Sequence, residues 1–288
     1  HTMIQDYLSN TLIGTEFPAI EISWSEQDTM LYALGVGAKP GQEPDFLYEG
    51  RGPLVLPTYA VIPGMQSLGN LRSAVKLKIQ RLLHGEQKVE VLRPLPAKAT
   101  VILKSRISEV WDKGKNGVIG VTAEAEDADG LLFRTHATLF YFGGGGFGGD
   151  PCPSGKDSDA PPDREADIII CYQTQEEQGA LYRLSGDRVA LHIDPGFAEK
   201  AGYDKPFMHG LCTYGFVGRA ILSGLCDGNP ERFKSMSGRF ADRAEFEDQI
   251  ITKIWKTAPG EAIIQAENRQ GTILLSQGHA RFETSAPS

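Results

Sequence analysis

The sequence predicts an α+β fold, built twice in one chain, in which a curled antiparallel sheet encloses an apolar helix. Three observations lead to it. Long segments alternate apolar and polar residues, as strands with one buried face do. A helix predicted at 210–225 is apolar nearly all round, so it should be buried. A stretch rich in Gly, Pro, Ser and Asp divides the 288 residues into halves that repeat one order, a helix and then extended segments.

The first half, residues 4–142, is predicted to begin with a helix. Ser25 to Asp28 match a capping box, and the apolar residues that follow have helical spacing. Two turns contain residues that tolerate positive φ, so neighbouring strands should form antiparallel hairpins. The turns lie at 112–114 and 127–130, and the alternating stretches at 75–92, 99–111 and 118–142.

The second half, residues 163–288, follows a predicted linker at 143–162. Its helices are predicted at 173–184, at 195–202 and at 210–225. Asp194 precedes Pro195, a pair typical of a helix N-cap and first helical position. Alternating runs that supply the sheet lie at 232–241, 249–256, 262–267 and 272–283.

Composition excludes several classes of function. The formal net charge is -8 and the chain has no Lys/Arg run, which disfavours nucleic-acid binding. No window approaches eighteen consecutive apolar residues, so we expect no membrane span, and the N-terminal region has no signal-peptide pattern. The chain is therefore expected to be soluble and intracellular.

Two further patterns argue against metal and dinucleotide sites. The four cysteines are scattered without a CxxC pair, which favours free thiols in a reducing compartment and no bound metal. The glycine-rich run at 143–149 leads into a Pro- and Asp-rich stretch, whereas a dinucleotide-binding loop leads into a helix.

The densest polar cluster contains Asp187 and His192, five residues apart in a loop between helices. A carboxylate can take a proton from water while an imidazole holds the same water, the usual division of base and acid. A structural interpretation is also open. Asp187 then only stabilises the turn after Gly186, and His192 is a satisfied, half-buried histidine. The spacing alone favours this second interpretation.

A second cluster precedes the buried helix. Gly210 lies where unpaired backbone amides and the positive end of the helix dipole converge, and an oxyanion would be stabilised there. The alternative is an ordinary helix start. His209 beside it is expected to pack or to form a hydrogen bond. Cys212 on the helix has no obvious base, so it is expected to belong to the core and not to be a nucleophile.

The run from Tyr182 to Phe216 resembles the hydratase 2 signature of MaoC-like dehydratases. Further segments look like the hydratase domain of peroxisomal multifunctional enzymes of type 2: 31–38, 56–58, 83–87, 93–96 and the glycine stretch. This resemblance covers nearly the whole chain. It implies a double hotdog fold, in which the second lobe keeps the catalytic motif and the first has lost it while widening the acyl pocket.

The resemblance also implies an activity and a set of residues. The reaction is reversible syn hydration of trans-2-enoyl-CoA to (3R)-3-hydroxyacyl-CoA. Asp187 and His192 would activate the water, and the Gly210 amide would polarise the thioester carbonyl. Acyl-CoA is the substrate, with no separate cofactor and no metal. Glu49 matches a family carboxylate whose role here is structural or supporting. The implied substrate contacts are His84, Gly85, Lys113, Arg188, Val189, Ala190, Leu191 and Phe240.

Two departures from the family pattern leave alternatives open. Val189 and Ala190 stand where the motif has Asn and Pro, which removes a polar group. An acyl-CoA-binding module with weak or lost catalysis is therefore a second hypothesis. A dehydratase that acts on a carrier-protein thioester is a third. Residues 241–248 replace a Pro-rich turn, so the local loop and its pocket contacts are also expected to differ.

Assembly and location are less defined. Relatives with this fold pair through their sheets, so a homodimer is expected. Residues 285–288 are not a peroxisomal tripeptide of the S-K-L kind, so peroxisome and cytoplasm both stay open. Whether the chain was cut from a longer multifunctional enzyme, and which acyl chain length and direction it serves, are open as well.

Overall fold

The computed structural model describes residues 3–151 and 159–285. Over these residues the chain forms one antiparallel sheet and five α-helices. The helices are α1 (Glu26–Gly35), α2 (Val61–Met65), α3 (Gln178–Tyr182), α4 (Pro195–Lys200) and α5 (Gly210–Cys226). The strands are β1 (Ile20–Trp24), β2 (Leu82–Val91), β3 (Ala99–Asp112), β4 (Gly117–Asp127), β5 (Gly130–Tyr141), β6 (Ile168–Gln173), β7 (Phe233–Phe240), β8 (Gln249–Ala258), β9 (Glu261–Glu267) and β10 (Ile273–Phe282).

The strand order shows the internal repeat. It runs β1-β3-β4-β5-β2-β7-β10-β9-β8-β6. The five strands of each half therefore follow the same order, and the order of the second half runs in the opposite direction along the sheet. The halves join where β2 pairs with β7, with Glu86 opposite Arg239 and Glu90 opposite Ser235. This arrangement confirms the α+β, double hotdog prediction, with the two lobes sharing a continuous sheet.

The first strand of each half is absent from the prediction. In each half a short strand, β1 or β6, precedes the first α-helix. Both lie at the outer edges of the sheet and pair on one side only. Of the helix predicted at 173–184, the structure contains α3 and a 3-10 helix at Arg183–Ser185 that follows it directly. The first alternating stretch becomes a strand only at Leu82, after a 3-10 helix at Ile79–Arg81. Five or six residues at a sheet edge carry too little alternation to be distinguished from a loop.

Local helix signals are confirmed. Ser25 accepts a hydrogen bond from the Asp28 amide while Asp28 accepts one from the Ser25 amide, which is the predicted capping box. Asp194 caps α4 with Pro195 at its first position. These signals depend on residues three or fewer positions apart, so tertiary contacts change them little.

Helix α5 is the centre of the second lobe, as predicted from its apolar surface. Fourteen of its 17 residues are buried, and it packs against β6, β7, β8 and β10. It also reaches the first half: a Cβ at Gly215 would lie 2.4 Å from Cγ1 of Val36, and one at Gly218 2.4 Å from Cγ2 of Thr58. Glycines at these positions let the two lobes approach closely, and one hydrophobic core contains residues from both.

The first lobe has no single long helix in the corresponding place. A 3-10 helix (Pro57–Ala60), α2 and a second 3-10 helix (Gln66–Ser73) pack there against β2, β4 and β5. Pro63 and Gly64 lie within α2, and Gly69 within the following 3-10 helix. These residues disfavour a continuous α-helix, which explains the interruption.

The glycine-rich stretch is, over its first part, a built loop around Asp112 at the end of β3. The Asp112 carboxylate accepts hydrogen bonds from the amides of Gly114, Gly146, Gly148 and Gly149, at 2.8 to 3.3 Å. The predicted linker thus begins as a loop docked on the first lobe. Residues 152–158 of that linker lie outside the described residues, and the predicted boundaries at 142 and 163 stay a prediction.

Replacing Asp112 by Asn should loosen this loop. The amides of Gly146 and Gly114 lower the pKa of Asp112 below its ordinary 3.8. The stability from this carboxylate is therefore complete above that value and is lost as the pH falls through the lower folded-state pKa. An amide has only one acceptor oxygen, so the Asn variant should exchange the amide hydrogens of residues 143–150 several-fold faster at pH 7. Hydrogen exchange of that peptide is the measurement, and unchanged exchange would contradict this account.

The sequence predicted no membrane-spanning helix and free cysteine thiols. Within 3–151 and 159–285, none of the helices is long and apolar enough to cross a membrane. Cys171, Cys212 and Cys226 are free thiols. Cys152 lies outside the described residues.

Candidate active site

A cavity of about 490 Å³ is bordered by both halves of the chain. Most of its wall is apolar, with a group of polar side chains from the second half on one side. The lining residues are Met65, Leu83, His84, Asp187, Leu191, His192, Tyr203, Phe207, Met208, His209, Gly210, Leu211, Phe240, Ala241, Asp242 and Arg243. Predicted site residues from distant parts of the sequence therefore meet in this cavity.

Asp187 is presented by a turn that only glycine forms easily. Gly186 has φ of +143°, after a 3-10 helix at Arg183–Ser185. One carboxylate oxygen of Asp187 accepts a weak hydrogen bond from the amide of Val189 at 3.3 Å. The turn orients the carboxylate towards the cavity and leaves most of its acceptor capacity free.

His192 lies at the end of a 3-10 helix, Ala190–His192. Its Nδ1 is 2.8 Å from the backbone oxygen of Phe207. A carbonyl oxygen only accepts, so Nδ1 carries the hydrogen and Nε2 of the neutral ring keeps its lone pair. The ring also contacts the Phe207 ring edge-on at 5.3 Å. The resulting tautomer presents an acceptor, not a donor, to a water or substrate.

His209 contacts both of these residues and also lines the cavity. Its ring stacks on His192 with centroids 3.9 Å apart, and its Nε2 donates to the backbone oxygen of Asp187 at 3.0 Å. The side chain is 1% exposed, and burial together with the neighbouring His192 lowers the pKa of His209 to about 4. The prediction that His209 packs and forms a hydrogen bond agrees with this position, but its contacts are with the predicted catalytic residues themselves.

Gly210 is the first residue of α5, whose first amides have no partners within the helix. A Cβ at this position would lie 3.3 Å from the Phe240 ring, so glycine keeps open a narrow approach to the amide. Two residues further on, the Cys212 thiol is buried and donates to the backbone oxygen of Gly35. Burial raises the pKa of Cys212 well above its usual range, as expected of a core thiol and not of a nucleophile.

One ligand atom each from Asp187, His192 and His209 lie within 4.8 Å of one another. Such a group can be compared with a metal site. The two imidazole rings are stacked 3.9 Å apart with 29° between their planes, so lone pairs that lie in these two planes are poorly placed to meet at one ion. The group suits a shared water better, because two acceptors up to about 5.5 Å apart can both receive hydrogens from one water.

His84 and Phe240 form another part of the cavity wall. Their rings meet edge-on at 5.2 Å, and burial lowers the pKa of His84 to about 4. Nε2 of His84 is buried and has no hydrogen-bond partner among the described residues. The neighbouring Gly85 does not line the cavity, and a Cβ there would lie 2.0 Å from the Phe140 ring. Gly85 thus permits the local packing that places His84.

The structure does not bring every predicted contact to the cavity. Leu191 lines it, whereas Arg188, Val189 and Ala190 lie on the surrounding loop, outside the lining residues. The Val189 side chain is 52% exposed. Two further residues lie in the first half away from the lining: Lys113 in the turn after β3, and Glu49 in an exposed 3-10 helix.

Several residues that line the cavity were not predicted as site residues. Tyr203 and Phe207 pack their rings 4.9 Å apart, and the Arg243 guanidinium lies 5.2 Å above the Tyr203 ring. Arg243 comes from the segment 241–248, where the sequence departs from the family pattern, and Ala241 and Asp242 of that segment line the cavity as well. That these contacts differ from those of relatives stays a prediction. Met65 comes from the interrupted helix of the first lobe. A departure from the family pattern marked Arg243, but no local signal marked Tyr203 or Met65.

Comparisons with known proteins agree with this arrangement over most of the chain. Residues 22–143 match the family described as "MFE-2 hydratase 2 N-terminal domain", and residues 155–276 match the "MaoC like domain". A similar protein from Dictyostelium discoideum, named probable enoyl-CoA hydratase 2, is 35% identical over 281 residues. The match covers 94% of this chain and 95% of that protein.

Two solved structures are also similar. A MaoC-like dehydratase from Phytophthora capsici superposes with a TM-score of 0.87 at 27% identity, covering 95% of this chain and 97% of the other. The full-length peroxisomal multifunctional enzyme type 2 from Drosophila melanogaster has a TM-score of 0.79 at 34% identity, with 92% of this chain matched. The match spans only 48% of that longer protein.

Proposed function

The chain belongs to the family of MaoC-like hydratase 2 enzymes, and from this we propose that it reversibly hydrates trans-2-enoyl-CoA thioesters to (3R)-3-hydroxyacyl-CoA. The observation that carries the proposal is the convergence of Asp187, His192 and the start of α5 on one cavity. A proton acceptor, a water-holding group and an oxyanion donor are the three parts that this reaction needs.

The water is proposed to lie between Asp187 and His192. Nε2 of His192 accepts a hydrogen bond from it, since Nδ1 is committed to the Phe207 oxygen. The Asp187 carboxylate accepts the other hydrogen and takes it as the oxygen forms its bond to C3. Because one residue orients the water while the other removes its proton, the nucleophile is held in line with the double bond.

The electron pair of the double bond then moves towards the thioester carbonyl as an enolate. We propose that the Gly210 amide, at the positive end of α5, stabilises that oxygen. The proton on Asp187 returns to C2 on the same face, so the hydrogen and hydroxyl of one water are added and no charge is left over. No redox group or metal takes part, and the CoA thioester is the substrate.

The remaining walls support an acyl substrate. Met65, Leu83 and Leu211 offer apolar surface for the acyl chain. The unpartnered Nε2 of His84 supports the proposal that this residue contacts the substrate, because a buried polar atom in a binding cavity usually pairs with the ligand.

The binding-module alternative arises from Val189. Its side chain is half exposed and does not line the cavity, so it does not obstruct the proposed water position. The Val189 amide still donates to Asp187, a contact that no side chain supplies. These observations favour an active enzyme over a binding module.

The test is the loss of the ultraviolet absorbance of the enoyl thioester when the protein is mixed with trans-2-decenoyl-CoA, with chiral chromatography of the product. Turnover to the (3R) product supports the proposal. Saturable binding by calorimetry without turnover would leave the binding module. Turnover of the acyl-carrier-protein thioester but not of the CoA thioester would select the third hypothesis.

The pathway of this reaction and the oligomeric state of the protein are also proposed. Similarity to a peroxisomal multifunctional enzyme supports a place in fatty-acid β-oxidation, while peroxisome and cytoplasm both stay open. A homodimer is proposed from the family expectation. Ile169 on edge strand β6 is 58% exposed, which is compatible with a further contact. Light scattering of the purified protein measures the oligomeric state directly.

A further inference from the structure

His209 is a buried imidazole that the proposed hydration does not use. It touches both residues proposed to handle the water: its ring covers His192, and its Nε2 holds the backbone oxygen of Asp187. It is also the N-cap of α5, so it directly precedes the amide proposed as the oxyanion donor. One rigid side chain therefore connects three parts of the site that come from separate segments.

The hydrogen bonds determine what His209 can offer. The Asp187 oxygen is an acceptor, so Nε2 of His209 carries its hydrogen. Nδ1 is buried without a partner among the described residues. The Tyr182 ring also packs against the His209 ring with centroids 4.8 Å apart, which leaves the imidazole little freedom to move.

We propose that His209 is a positioning residue, which sets the separation and orientation of Asp187 and His192 relative to the Gly210 amide. The proposal rests on the proposed hydratase function. His209 donates no proton to the substrate. Its ring supports the His192 ring by stacking, and its Nε2–H hydrogen bond tethers the Asp187 turn. Without that tether, the glycine in the turn would permit several conformations.

The ring must be neutral for this role. The titratable groups that face it are His192, Asp187, Tyr182 and Arg183. A cation on His209 would lie stacked against His192 and close to Arg183. Burial, with smaller contributions from His192 and Arg183, lowers the pKa of His209 to about 4 against the opposing effect of Asp187, so the ring is uncharged at neutral pH. Its neutrality leaves His192 free to act as an acceptor.

Two substitutions separate positioning from simple filling of space. His209→Phe keeps a planar ring for stacking but removes the donor to Asp187. His209→Gln keeps an N–H group near the position of Nε2 but removes the ring. Cys212→Ala, a small-volume change to a buried residue of the same helix turn that does not line the cavity, is the control.

With trans-2-decenoyl-CoA, His209→Phe should lower kcat about 100-fold while KM changes less than about threefold, since small misplacements near the chemistry are costly. His209→Gln should recover a large part of kcat by restoring the tether. The melting temperatures of both variants and of the control are measured alongside. If His209 only stabilised the fold, both variants would have lower melting temperatures and His209→Gln would not recover kcat.

The outcomes are distinct. A His209→Phe enzyme within threefold of the wild-type kcat would overturn the positioning role while leaving the hydratase proposal intact. Equal losses in the Phe and Gln variants would overturn the tether. If His209→Phe does not fold, the Gln variant decides: kcat within about tenfold of wild type supports the tether, and a larger loss opposes it. Absence of wild-type turnover would instead remove the function on which the role depends.

Discussion

Replacing Asp187 by Asn should lower kcat for enoyl-CoA hydration by roughly a thousandfold, within the range that general acid-base catalysis contributes. Asn has nearly the shape of Asp, and its amide oxygen can still accept the hydrogen bond from Val189. It cannot take the proton of the attacking water. The loss should therefore fall on kcat, with KM and the melting temperature little changed.

Asp194→Asn is the matched control for this variant. It makes the same chemical change in the same loop, but Asp194 caps α4 and does not line the cavity. Asn is an equally good N-cap, so activity and stability should both be retained. The enoyl-thioester absorbance assay measures both variants. An Asp187→Asn protein that keeps more than a tenth of wild-type kcat would exclude Asp187 as the base.

Replacing Arg219 by Met should lower the free energy of unfolding by about 3 kcal/mol, the scale on which a broken buried ion pair is costly. The Arg219 side chain is 1% exposed on α5 of the second lobe, yet it pairs with Glu43 of the first. Its Nη1 donates to the backbone oxygen of Val36 at 3.0 Å, and the guanidinium lies 4.0 Å above the Tyr172 ring. Methionine would leave the Glu43 carboxylate and the Val36 oxygen without these donors.

An exposed pair in the same region is the control. Arg51 pairs with Asp45 at 2.6 Å, with side chains 56% and 44% exposed. Arg51→Met should cost less than about 1 kcal/mol, as exposed pairs usually do. Urea unfolding of both variants gives the comparison. In the double variant Arg219→Met with Glu43→Gln, part of the loss should be recovered because no buried charge is left unpaired. If Arg219→Met and Arg51→Met lower the free energy of unfolding by similar amounts, the buried pair of Arg219 with Glu43 does not stabilise the contact between the two lobes.

Local signals in the sequence were sufficient for most of the regular structure. The Ser25 capping box, the Asp194-Pro195 helix start and the apolar surface of 210–225 each predicted a helix that the structure contains. Alternation and turn residues predicted the hairpins of β3, β4 and β5. All of these depend on residues close in sequence, where propensity and periodicity act.

The sequence was less informative where an element depends on a distant neighbour. The edge strands β1 and β6 are short, and they are held by pairing with β3 and β8. The glycine-rich stretch looked like a free connection because its partner, Asp112, lies more than thirty positions earlier. The interruption of the helical segment in the first lobe has a local cause by contrast, because its proline and glycines disfavour a continuous helix.

The same distinction between local signals and distant contacts applies to the candidate site. By itself the sequence determined the residue types, the duplication and, through a long resemblance, the proposed parts played by Asp187, His192 and Gly210. Only the tertiary structure decided which neighbours act on them: His209 against the Asp187 turn across 22 positions, and Arg219 paired with Glu43 across 176. The physical reason is that periodicity and capping record contacts within one or two turns of chain. Stacking, buried pairing and the tautomers they impose arise only when separate segments pack together.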